Sequence, residues 1–197
     1  MNLPNRLTVF RMALIPIIMA VFLFPYAQFG LEPKLFTVGA VRISIISVIC
    51  LILYLISEVF DFMCERVLQS GNMQTTFGTF IGPVTDKIMI AAMFLLFTSK
   101  GLISPVPVIF MIGREIVVDG CQLIAHGNGK MIAEGSLGTV KKVSQMITIA
   151  LLFLNNLPFE LWELPVTEVM LWFSAFVSIV GGISCYNMMK EDIYESK

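Results

Sequence analysis

Six mostly apolar stretches recur along the chain, separated by short segments that carry charges, glycine or proline. A helix that crosses the hydrocarbon core of a bilayer needs about 20 mostly apolar residues. The pattern predicts an all-α integral membrane bundle of six transmembrane helices with an amphipathic N-terminal helix, in a single domain over residues 1–197. The amphipathic start covers residues 4–10, and the predicted spans are about 12–26, 43–56 (running on to about 68), 88–98 (with a first turn from about 83), 106–124, 143–154 and 166–188.

Composition agrees with a membrane location. Hydrophobic residues make up 57% of the chain and charged residues only 14%, whereas a soluble domain carries about 25% charged residues. The net charge of −1 provides no basic field for a polyanion, so nucleic acid is excluded as a partner. The four cysteines lie in or beside apolar stretches without paired spacing, which indicates small buried residues.

The distribution of lysine and arginine predicts the orientation of the bundle. Positive residues concentrate in cytoplasmic segments of membrane proteins. With six spans and a cytoplasmic N-terminus, both termini are cytoplasmic, and inner segments hold eight basic residues against three in outer segments. The inner residues are Arg6, Arg11, Arg66, Lys130, Lys141, Lys142, Lys190 and Lys197, and the outer ones are Lys34, Arg42 and Lys100.

Ionisable residues also occur at membrane depth, where they are costly and mark functional sites. Glu58, Asp61 and Glu65 are spaced i, i+3 and i+7, so one face of the second helix carries three carboxylates. Asp86 and Arg114 begin or interrupt later spans. The pattern predicts a polar cavity between the helices that opens to the cytoplasm.

Residues 61–86 resemble the signature of the CDP-alcohol phosphatidyltransferases, D-x2-D-G-x2-A-R-x8-G-x3-D-x3-D. Three other segments are similar to the bacterial phosphatidylglycerophosphate synthases within that family. They are the start MNLPNRLTVFRMALIP, the segment FGTFIGPVTDK at 77–87 and IGRE at 112–115. The resemblance covers nearly the whole chain and implies a homodimeric enzyme of the bacterial inner membrane that transfers phosphatidyl from CDP-diacylglycerol to glycerol 3-phosphate.

The resemblance also implies roles for individual residues. Asp61 and Asp86 match metal ligands for Mg²⁺ or Mn²⁺, and Asp86 also matches the base for the acceptor hydroxyl. Glu65 and Glu58 are candidate replacement ligands. The remaining implied roles are nucleotide binding by Asn5, Thr8 and Gly78, and binding of the acceptor phosphate by Arg114 and Lys141.

The sequence departs from the signature at five fixed positions, which hold Cys64, Glu65, Leu68, Gln69 and Gly82. Cys64 and Gly82 replace two of the four aspartates, and a thiol suits Mg²⁺ poorly. We therefore expect a degenerate paralogue with impaired or no catalysis. It would bind membrane lipid, CDP-diacylglycerol or glycerol 3-phosphate and form a homodimer or a heterodimer with an active paralogue. The alternatives are an active transferase with a rebuilt metal site and a small membrane transporter.

Overall fold

A computed structural model describes residues 3–39, 41–69, 76–127 and 135–195. Within those ranges the chain forms six α-helices, and the prediction of an all-α membrane protein is confirmed. The helices are α1 (Leu3–Leu23), α2 (Ile45–Gln69), α3 (Thr76–Ser99), α4 (Pro105–Gly127), α5 (Gly135–Phe153) and α6 (Val166–Glu195). Short 3-10 turns cover Tyr26–Phe29 and Phe159–Trp162.

Within the described ranges, four helices are long and apolar enough to cross a membrane. These spans are Asn5–Leu23, Ile45–Val67, Ile81–Ser99 and Val166–Met188. The other two predicted spans form helices, but α4 contains Arg114, Glu115 and Asp119, and the 19-residue α5 contains adjacent lysines. The prediction of six spans is therefore supported for four of them, and the spans of α4 and α5 stay predictions.

The N-terminal helix differs from its prediction. Residues predicted as an amphipathic start and a separate span form one continuous helix, α1, with Pro16 inside it. The first span accordingly begins within the segment that was predicted as an amphipathic start.

A small hairpin precedes α2, and the sequence pattern missed it. Strands β1 (Leu35–Val38) and β2 (Val41–Ser44) pair antiparallel, with Val38 opposite Val41. Gly39 follows β1 with φ of 61°, a conformation that glycine adopts without strain. Apolar β-branched residues serve a strand as well as a membrane helix, so residues 43 and 44 were assigned to the second span.

Contacts divide the chain into two compact units. The first consists of Met1–Phe97 with Ala150–Leu164. There α1 packs along α2, and an aromatic cluster fills the core. The Phe153 ring lies 4.7 Å from the ring of Phe97 and 5.7 Å from that of Phe22, both edge to face, a preferred geometry for aromatic pairs.

The second unit consists of Thr98–Ile149 with Pro165–Lys197, and α4 packs along α6 within it. Val118 and Ala125 of α4 form a buried apolar cluster with Cys185 of α6. The hydroxyl oxygens of Thr148 and Ser174 lie 3.2 Å apart and connect α5 with α6. Small and polar side chains at such contacts are typical of helices that associate in a membrane.

Candidate active site

A buried guanidinium group connects three helices of the first unit. Arg11 of α1 has 0% of its surface exposed. Its Nη1 atom donates to Asp61 of α2, and its Nη2 atom lies 3.3 Å from Asp86 Oδ1 of α3. Its Nε atom also lies 3.5 Å from Ser57 Oγ of α2. A buried charge is tolerated only when it is paired and hydrogen-bonded, and Arg11 meets both conditions.

Three carboxylates cluster here, and two of them are bonded to this guanidinium group. Glu58, Asp61 and Asp86 each offer an oxygen atom, and these atoms all lie within 4.8 Å of one another. Glu58 and Asp61 are buried, and Asp86 is partly buried. Because Glu58 and Asp61 are three residues apart on α2, they share the helix face that meets Asp86.

The donor set fits one divalent cation better than two. Mg²⁺ requires near-octahedral oxygen ligands and usually binds one or two carboxylates plus water. Glu58, Asp61 and Asp86 meet that need for one ion. Two ions that share bridging carboxylates need more ligands, and Arg11 already bonds two of the three carboxylates. The described residues therefore fit a single cation and do not fit a pair.

The two substituted aspartate positions differ in their surroundings. Cys64 is buried on α2 and makes a hydrogen bond with the buried Thr8 of α1. A Cβ atom built on Gly82 of α3 would meet no other atom within 4 Å. Position 82 therefore has room for a side chain, whereas position 64 lies within the packed interface of α1 and α2.

The other predicted residues of this site lie outside the carboxylate cluster. Glu65, a candidate replacement ligand, is exposed on α2 and does not join the group, whereas Glu58 does. Asn5 is partly buried on α1. The side-chain surroundings of the signature positions Leu68, Gln69 and Gly78 lie outside the described part of the structure.

A second charged group lies in the second unit. Arg114 Nη1 of α4 lies 3.1 Å from Glu115 Oε1, and Lys141 Nζ of α5 lies 2.6 Å from the same oxygen atom. All three side chains are largely buried. The structure thus brings Arg114 and Lys141 to a single anionic oxygen, although the sequence predicted that they share a phosphate.

Comparison with known proteins agrees with the resemblance read from the motifs. A family model described as CDP-alcohol phosphatidyltransferase matches residues 1–180, and the chain belongs to that family. The chain is 35% identical over 181 residues to the CDP-diacylglycerol–glycerol-3-phosphate 3-phosphatidyltransferase of Bacillus subtilis (strain 168). The match covers 92% of this chain and 91% of that protein.

Two further relatives carry the same name. That of Pseudomonas fluorescens is 31% identical over 196 residues, covering 96% of this chain and 88% of the relative. That of Rickettsia felis is 27% identical over 191 residues, covering 96% of each chain. Bacterial relatives and four apolar helices together indicate a multi-pass protein of the bacterial inner membrane.

Two site features were missed by reasoning from the sequence. Arg11 was interpreted only as part of the N-terminal resemblance and as an inner positive charge, yet it bonds the two surviving aspartates. The available signal was an arginine inside an otherwise apolar helix, which needs a buried partner. Glu115 was interpreted as a charge within the fourth predicted span, but its ion pairs with Arg114 and Lys141 were not predicted.

Proposed function

We propose that this protein is a phosphatidylglycerophosphate synthase-like membrane protein whose phosphatidyl transfer is absent or strongly impaired. Membership of the CDP-alcohol phosphatidyltransferase family and the names of its relatives support the substrates, CDP-diacylglycerol and glycerol 3-phosphate. The observation that carries the impairment is the donor set. The family signature has four aspartates to bind divalent cations. Here three carboxylates cluster, and two of them are bonded to Arg11.

The reaction in question has a simple balance of bonds. An acceptor hydroxyl oxygen attacks the phosphorus atom next to diacylglycerol, the bond to CMP breaks, and the hydroxyl proton leaves. Bound divalent cations would neutralise the pyrophosphate and the leaving oxygen. Asp86 would accept the proton in this scheme, but its Oδ1 atom lies 3.3 Å from Arg11 Nη2. That oxygen atom therefore already accepts a hydrogen bond from Arg11.

Acceptor binding is the part of the function with the most intact residues. Arg114 can grip a phosphate in a bidentate fashion, and Lys141 acts as a point charge. Both cations contact one Glu115 oxygen atom, so an incoming phosphate competes with that carboxylate. We propose that the protein retains binding of glycerol 3-phosphate at Arg114 and Lys141, and nucleotide binding at Asn5, Thr8 and Gly78.

The proposal includes the assembly and orientation of the protein. We propose both termini in the cytoplasm, and a homodimer or a heterodimer with an active paralogue that supplies the complete metal site. Cross-linking in membranes that contain the paralogue distinguishes the two assemblies.

One observation favours a second candidate, an active transferase with a rebuilt site. Glu58 is not a signature residue, yet its carboxylate lies with Asp61 and Asp86. A single Mg²⁺ or Mn²⁺ on these three residues would give a one-metal enzyme. The small-transporter alternative has no support in the comparisons.

A transfer assay on the purified protein tests the proposal. The assay contains radiolabelled glycerol 3-phosphate, CDP-diacylglycerol and Mg²⁺ or Mn²⁺, with the Bacillus subtilis relative as positive control. We expect transfer at least about a hundredfold slower than the control, the scale of losing one electrostatic group from an active site. A rate within about tenfold of the control would instead support the rebuilt enzyme.

A further inference from the structure

The side chain of Arg114 crosses the backbone of α6 at a glycine. A Cβ atom built on Gly182 would lie 2.7 Å from Arg114 Cγ, 2.8 Å from its Nε and 3.3 Å from its Cδ. Separations below about 3 Å do not occur between such atoms without movement, because they lie inside van der Waals contact. The path of the Arg114 side chain therefore requires that residue 182 has no Cβ atom.

The overlap between a Cβ atom at position 182 and Arg114 is severe because it lies near the backbone end of the arginine side chain. The closest atom, Cγ, is next to the root of the side chain, so a small adjustment of the flexible end cannot relieve it. Relief requires another Arg114 rotamer or a shift of α4 against α6, which pack along one another. Either change moves the guanidinium away from its place 3.1 Å from Glu115 Oε1.

The neighbouring glycine provides a natural comparison. A Cβ atom on Gly181 would lie 3.4 Å from Arg114 Nη2 and 3.7 Å from Leu137 Cβ, which are ordinary contacts. Both glycines are buried on α6. The restriction at this contact is therefore specific to Gly182 and is not a general demand for small residues in this part of the helix.

We propose that Gly182 is a positioning residue that holds Arg114 in the geometry that binds the phosphate group of the acceptor. It acts through Arg114, since glycine has no group of its own to bind an anion. With Gly182 in place, Arg114 and Lys141 are held beside the same Glu115 oxygen atom. Cations that are already in place lose less conformational freedom when a phosphate displaces that carboxylate. This inference rests on the proposed binding of glycerol 3-phosphate at Arg114 and Lys141.

A four-variant comparison tests the inference on the full-length protein in detergent micelles. The variants are Gly182→Ala, the matched control Gly181→Ala, Arg114→Ala and the double variant Arg114→Ala/Gly182→Ala. Binding of glycerol 3-phosphate is measured by calorimetry, with glycerol as the uncharged control ligand, and the midpoint of thermal unfolding is measured for each variant. Alanine is the better helix former, so helix propensity cannot explain a loss in Gly182→Ala.

We expect Gly182→Ala to weaken binding about tenfold or more, as the loss of one charge-assisted hydrogen bond does, and Gly181→Ala to stay within about twofold of the parent. In the Arg114→Ala background the Cγ atom is absent, so the added Gly182→Ala change should leave binding unchanged and should not lower the unfolding midpoint. Coupled residues show this non-additivity in a mutant cycle.

Other outcomes test the role of Gly182 and the proposed acceptor site separately. If Gly182→Ala binds as the parent does, or lowers the unfolding midpoint equally with and without Arg114, Gly182 is only a packing residue and the inference is wrong. If Gly182→Ala does not fold but the double variant does, the coupling to Arg114 is supported. If the parent protein fails to bind glycerol 3-phosphate, the proposed acceptor site is wrong, while the unfolding midpoints still test the contact between Gly182 and Arg114.

Discussion

At the scale of single residues, the site depends on how buried charges are balanced. Arg11 is fully buried and forms ion pairs with Asp61 and Asp86 of two other helices. Removing one partner of a buried ion pair leaves an uncompensated charge, which costs more than the pair itself contributes. The same contact ties α1 to α2 and α3, so Arg11 serves the structure even where the metal site is incomplete.

The substitution Arg11→Met tests this role. It keeps an unbranched side chain but leaves Asp61 and Asp86 without the guanidinium. We expect a loss of about 3 kcal/mol in the free energy of unfolding, measured by denaturant titration in detergent. Arg6→Met is the matched control, because Arg6 is exposed on the same helix and should change stability by less than about 0.5 kcal/mol. Equal stability of the two variants would contradict the structural role of Arg11.

At the scale of the helices, the burial pattern of α4 bears on the prediction that it crosses the membrane. Its charged residues exclude it from the clearly apolar helices, but Ile109, Ile116 and Leu123 recur every seven residues and are exposed. Arg114 and Glu115 are largely buried against the second unit. An apolar outer face with charges turned inward is the arrangement expected of a helix that crosses a membrane around a polar site.

The signature positions that would restore the metal site lie on α2 and α3. The relevant changes are Cys64→Asp, Glu65→Gly, Gln69→Arg and Gly82→Asp. The open space around a Cβ atom at Gly82 means that an aspartate there should be accommodated. We expect no single change to give activity, because groups that act as a unit are strongly non-additive. The fourfold variant should acquire a Mg²⁺-dependent rise in melting temperature with CDP-diacylglycerol, since a ligand that binds only the folded state stabilises it.

The unmutated protein is the control for this experiment. It should show no Mg²⁺-dependent rise with CDP-diacylglycerol. A clear rise in the unmutated protein, accompanied by turnover, would contradict the degenerate site and favour the one-metal enzyme on Glu58, Asp61 and Asp86.

At the scale of the whole molecule, the sequence was most informative about helices and least informative about their contacts. Long apolar stretches located all six helices, because hydrophobic length is a direct requirement of the bilayer. The hairpin at residues 35–44 was missed because its strands are short and apolar. The role of Arg11 was missed because it depends on which helices lie next to α1, and one helix's residue pattern does not contain that information.

Orientation is a prediction for the whole molecule. In a background without native cysteines, Lys100→Cys and Ser136→Cys place single thiols at exposed positions after α3 and at the start of α5. A membrane-impermeant maleimide should label Cys at 100 but not at 136 in intact spheroplasts, because Lys and Arg concentrate in the predicted inner segments. Labelling at 136 and not at 100 would invert the proposed topology.

The most direct test of the central claim is the number of divalent cations that the purified protein binds. Electron paramagnetic resonance during titration with Mn²⁺ distinguishes an isolated ion from a pair, because two ions that share bridging carboxylates are magnetically coupled. With three clustered carboxylates and Arg11 bonded to two of them, we predict no more than one Mn²⁺ per chain, uncoupled and lost in Asp61→Asn. A coupled pair of Mn²⁺ ions in the unmutated protein, abolished by Asp61→Asn, would contradict the degenerate site.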